Sequence, residues 1–104
     1  LAAVEGLFFS RRAGLDGETI LATMQTGTAD SKALRNQAAN AFRGDFTPGF
    51  FPKHVVKDIT LAIEESDALG MDLRGLKNVR DRWLELLYKY PDAQSVQDIA
   101  RLYM

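Results

Sequence analysis

A chain of 104 residues, 46% hydrophobic and 26% charged, has the size and balance of one soluble globular domain with a modest core. Thirteen basic against fourteen acidic residues leave a net charge of −1, and no Lys/Arg cluster compensates locally, so nucleic acid and anionic membrane are disfavoured as partners. Cysteine is absent, which removes disulfides, thiolate nucleophiles and cysteine-bound zinc and suits a reducing, cytoplasmic setting.

The hydrophobic period is helical nearly throughout, and no stretch alternates long enough for a strand. A first helix is predicted from Leu1 to about Ala13, with Val4, Leu7 and Phe8 on one face and Gly14 as its left-handed stop. Arg11-Arg12 reads as its positive last turn. Nothing in Leu-Ala-Ala-Val-Glu caps its start, so the helix is expected to be cut open.

Asp16 is a good N-cap for a short second helix carrying Ile20, Leu21 and Met24, stopped by Thr26-Gly27-Thr28. Asp30 or Ser31 opens a third, with Leu34, Ala38 and Ala41 or Phe42 inward and Gly44 at its end. The loop Asp45-Phe46-Thr47-Pro48-Gly49-Phe50-Phe51 is far too apolar for a solvated connector. Pro52 suits the first position of a long fourth helix reaching Leu69, with a core stripe of Val55, Ile59, Ala62, Ile63 and Leu69. A fifth helix is predicted from about Leu73 to Tyr90, carrying Leu76, Val79, Trp83, Leu86 and Tyr90, and ended by Pro91. Ser95-Val96-Gln97-Asp98 resembles a capping box opening a last short helix to Met104.

The fourth helix has two faces to explain. Ile59 centres its core stripe, and Lys57 points almost the opposite way. On that outer side stand His54, Lys57 and Leu61, with Phe50 one step back in the loop and Asp58 on the border. Phe50 and Leu61 suggest that this side meets something. Lys53, Thr60, Glu64 and Asp67 share it too, as on a solvated helix, and periodicity alone favours that reading.

Other candidates have plain structural explanations. His54 is the only histidine, so no triad or His-rich metal site exists, and it reads as a surface or structural residue. Glu64-Glu65 and Asp67 diverge around their helix and read as solvated. Thr26 to Ser31 lacks the glycine spacing and lysine of a phosphate loop. Trp83, Tyr88 and Tyr90 have no interleaved basic residues and make no base-stacking platform.

Three collinear stretches carry a family resemblance. Val4-Glu5-Gly6-Leu7 through Ala13-Gly14-Leu15-Asp16 is similar to an "A-E-A … G-L-D" helix and turn. Gly44-Asp45-Phe46-Thr47-Pro48-Gly49-Phe50 resembles a "D-F-x-x-G-F" loop, and Val56-Lys57-Asp58-Ile59-Thr60-Leu61-Ala62 resembles an "x-K-D-x-x-L-A" helix. Together they resemble the C-terminal domain of the β-hydroxyacid dehydrogenases of the 3-hydroxyisobutyrate dehydrogenase and tartronate semialdehyde reductase type, over roughly residues 1–90.

The resemblance implies an all-α, compact bundle of five to six helices like the C-terminal domain of 6-phosphogluconate dehydrogenase-like enzymes. It implies that residues 1–104 are one N-terminally truncated substrate and dimerisation domain, without the Rossmann domain that binds NAD or NADP. By the family's spacing the catalytic lysine falls about a dozen residues before Leu1, so no catalytic residue is expected in this chain and no cofactor bound to it alone. No metal site is expected. By the same resemblance Phe50 takes the position of the substrate-pocket phenylalanine, Lys57 that of a lysine reaching the cofactor, and Asp58 that of an aspartate supporting the pocket. The implied partners are the missing Rossmann domain, further copies of the chain and a small hydroxyacid or semialdehyde. The alternative is a free-standing helical interaction module docking a protein through its Phe-rich loop and Leu61.

Overall fold

The computed structural model describes residues 1–104, which form helices and connecting turns with no strand. The helices are α1 (Ala2–Arg12), α2 (Gly17–Thr26), α3 (Ala39–Phe42, continuing from a π-helical turn over Leu34–Ala38), α4 (Pro52–Ala68) and α5 (Arg74–Lys89), with a final 3₁₀ helix over Val96–Leu102. None is long and apolar enough to cross a membrane. They gather into two compact units, one of Leu1–Phe46 with Gln97–Met104 and the other of Thr47–Val96.

In the first unit, Val4, Leu7 and Phe8 of α1 are buried as their spacing predicts. Gly14 closes α1 at φ 76°, with the amides of Gly14 and Leu15 donating to the Arg11 and Ser10 carbonyls. The same paired arrangement, which needs a left-handed residue, recurs at Gly44 and Gly70. Asp16 caps α2 by accepting from the Thr19 hydroxyl at 2.6 Å and the Thr19 amide at 2.9 Å. Ser31 caps the next helix, its hydroxyl accepting from the Leu34 amide.

Phe42 is the centre of this unit. Its ring meets Phe8 edge-on at 5.8 Å and lies 4.0 Å beneath the Arg11 guanidinium, which also donates to the Phe42 carbonyl. Arg11 is therefore an aromatic partner as well as a helix-end charge. Gly17 lies against the same ring, where a Cβ would collide with it. Tyr103 returns the C-terminal segment to α1, its hydroxyl donating to Glu5 at 2.7 Å.

Periodicity does not predict the wide turn at Leu34–Ala38. The Ala39 amide donates back five residues to the Leu34 carbonyl. At about 100° per residue Ala39 would stand well away from Leu34, whereas the wider turn brings it round to the same side, and it is fully buried.

In the second unit α4 packs on α5. Lys77 bridges Asp67 at 2.8 Å and Asp72 at 3.1 Å, which holds the end of α4 to the start of α5. Asp67, predicted to be solvated, thus has a partner on α5. Trp83 and Leu86 are buried from α5, and Pro52, Ile63 and Ser66 from α4. The predicted α4 core stripe needs correction: Val55 and Ile59 are half-buried, Ala62 is exposed, and Leu69 is 68% exposed. Leu69 lies just past the last helical residue and leads into the Gly70 turn, so it leaves the face that Ile63 buries.

Candidate functional site

The outer face of α4 starts with its loop. Phe51, held extended (φ −71°, ψ 137°) because proline comes next, leads into the buried ring of Pro52. The Gly49 amide donates to the Gln94 carbonyl at 3.1 Å and ties the loop down one step earlier. Between these anchors the Phe50 side chain stays 52% exposed. The His54 ring lies 5.8 Å from Phe50, tilted by 48°, and 6.2 Å from Phe51, edge-on. Lys53 places its ammonium over the Phe51 ring, 5.5 Å from its centroid.

Lys57 comes three residues after His54 and Leu61 four after Lys57, so the three share one stripe of the helix. Lys57 is 63% exposed and Leu61 56%. The Lys57 ammonium sits 2.7 Å from the Asp58 carboxylate, itself 55% exposed. An ion pair this wet contributes little to stability and leaves the ammonium free to turn to another anion. The first turn of α4 contains no acidic residue. Helix dipole, Lys53 and Lys57 together make this end of the helix favourable to negative charge.

The structure thus brings His54 against Phe50, sets Lys57 beside Asp58, and leaves Phe50, Lys57 and Leu61 open to solvent. Sequence reasoning gives His54 only a surface or structural part and misses its packing against both loop rings. The signal lies in the spacing, since Phe50 and Phe51 precede it by four and three residues. Two hollows lie elsewhere. One of about 470 Å³ is lined by Glu5, Phe8, Phe9, Arg12 and Tyr103. Another of about 210 Å³ includes Phe51, Lys53, Leu87 and Pro91. Neither of these two contains Phe50, Lys57 or Asp58.

Residues 1–103 match a family described as NAD-binding of NADP-dependent 3-hydroxyisobutyrate dehydrogenase. An uncharacterized oxidoreductase of Bacillus subtilis is 30% identical over 104 residues, all of this chain and 36% of that protein. A probable 3-hydroxyisobutyrate dehydrogenase-like 1, mitochondrial, of Arabidopsis thaliana is 36% identical over 86 residues, 83% of this chain and 26% of that protein. An uncharacterized oxidoreductase of Synechocystis is 37% identical over 67 residues, 64% of this chain and 23% of that protein. The chain therefore spans from under a quarter to just over a third of the length of these relatives.

Proposed function

The chain belongs to the 3-hydroxyisobutyrate dehydrogenase family, and from that premise we propose that it closes the active site of an NAD(P)-dependent oxidoreductase acting on a 3-hydroxyacid or small semialdehyde. In this reading the outer face of α4 meets a nucleotide-binding lobe, and the enzyme works in the cytoplasm as a homo-oligomer. One observation carries it: Phe50 and Leu61, both apolar, are left open on the stripe that presents Lys57. Isolated exposed apolar residues are ordinary, but two that flank a cation on one stripe suit a surface that a second lobe covers.

Lys57 fits an anionic cofactor or substrate. Its ammonium can hydrogen-bond to a carboxylate or phosphate and supply positive charge to it. The nicotinamide, when bound, would accept a hydride from a hydroxyacid or donate one to a semialdehyde. The chain's own residues shape and charge the site. Phe50 walls the substrate pocket and sheds water from it. Asp58 holds the Lys57 ammonium when no ligand is bound, and its carboxylate limits how far that ammonium can swing.

Lys57→Ala in the enzyme carrying this domain is expected to lower kcat/KM by about tenfold or more, because a charged hydrogen bond to the ligand is lost. Its melting temperature should stay within a degree or two, since the side chain is largely exposed. An unchanged kcat/KM removes Lys57 from the site. It would leave the open face to the alternative, a helical module that docks a protein partner.

A further inference from the structure

We propose that His54 is a positioning residue for substrate binding: its imidazole holds the Phe50 ring in place on the outer face of α4. This rests on the reading of Phe50 as a pocket wall.

The backbone around Phe50 is fixed by Pro52 and by the Gly49-to-Gln94 hydrogen bond, but neither restrains the Phe50 side chain. A half-exposed phenylalanine in a loop would exchange rotamers on its own. The ring that the structure sets against it is His54, 5.8 Å away and tilted by 48°. His54 in turn also meets Phe51, edge-on at 6.2 Å. Phe51 precedes a buried proline, and Lys53 lies over its ring. The rigid part of the loop is thus transmitted through one imidazole to the ring that a substrate would touch. His54 also stands on the α4 backbone one turn before Lys57, so the same helix sets wall and cation in register. An aromatic side chain at this position can do this, and an aliphatic one cannot offer the same flat face.

The test uses the enzyme carrying this domain, with 3-hydroxyisobutyrate as the probe substrate. His54→Ala is expected to raise KM about three- to tenfold with kcat within about twofold, and His54→Phe to restore KM to within about twofold. The double variant Phe50→Ala with His54→Ala should be no worse than Phe50→Ala alone, because His54 acts through that ring. A para-fluorophenylalanine placed at position 50 gives a second readout by fluorine NMR. Its line should move in His54→Ala and return in His54→Phe.

An unmoved fluorine line overturns the inference, as does a double variant whose KM is the product of the two single effects. A line that moves while neither Phe50→Ala nor His54→Ala changes KM overturns the pocket reading of Phe50 instead, and the inference falls with it.

Discussion

In the unit of Leu1–Phe46 and Gln97–Met104, Leu7, Leu21, Leu34, Ala39 and Ala100 are essentially shut off from solvent, and Phe42 binds α1 and α2 through Phe8, Arg11 and Gly17. In the unit of Thr47–Val96, α4 and α5 share a thinner core around Ile63, Trp83 and Leu86. Seven of the ten large exposed apolar residues of the chain fall in this second unit. Folding by itself explains the first unit. The second keeps apolar surface that its own packing does not use, and the face nominated for function lies there.

Four measurements can break or sharpen this contrast, from the largest expected effect to the smallest. Leu34→Ala should cost about 2–5 kcal/mol in urea unfolding, because a fully enclosed side chain leaves a hole behind. Gly17→Ala should cost about 1–3 kcal/mol by the same measurement, since its methyl group must displace the Phe42 ring. A wild-type value there would mean that Phe42 can move aside and is not the fixed centre of its unit.

Acidification should weaken both units. Hydrogen bonds from the Thr19 hydroxyl and amide lower Asp16, and the Arg43 guanidinium lowers Glu18. Asp72 is lowered by Arg74 and Lys77, and Glu85 by Lys89 and Arg82. A carboxylate lowered on folding contributes its full stability above the unfolded value and loses it as pH falls through the folded one. Melting temperature should therefore hold down to about pH 5 and decline shallowly through the carboxylate range below it. The slope should be gentle because these groups are solvated, and a steep collapse above pH 5 would contradict it. Smallest of all, Leu61→Ser should change stability by no more than about 0.5 kcal/mol. A loss comparable to that of Leu34→Ala would show that Leu61 is packed and would erase the contrast.

Much of the fold is legible in the residues alone. The 3.6-residue period locates α1, α2, α4 and α5 to within a residue or two at their ends, and the third predicted helix proves to be a π-helical turn running into the short α3. Asp16, Pro52, Gly14, Gly44 and Gly70 mark boundaries correctly, because capping and φ are local properties. Val55, Ile59 and Ala62 are misses within a regular helix, buried less than their period suggests because the core beneath α4 is thin. Other misses are places where geometry departs from that period. Ala39 escapes notice because the π-turn shifts the phase, and Leu69 is assigned to the core only if the helix is run one residue too far. The segment after Ser95 is a 3₁₀ helix, tighter than the α-helix that a capping box suggests. Phe50, Lys57 and Asp58 are nominated together only through family likeness. Their stripe looks solvated by period alone, and the packing of His54 on the loop rings depends on how the loop meets Pro52.

The wide turn at Leu34–Ala38 bears on how this domain can vary in length. A helix that takes one residue more than the regular repeat between two inward positions holds an insertion it can lose without rotating the helix beyond it. Arg35, Asn36 and Gln37 point outward there, so a homologue one residue shorter at this point can present the same inward side chains. Within this helix, a one-residue deletion is best accommodated between Leu34 and Ala38. Between Ala39 and Phe42 it would turn Phe42 out of register with the arginine and glycine that surround its ring.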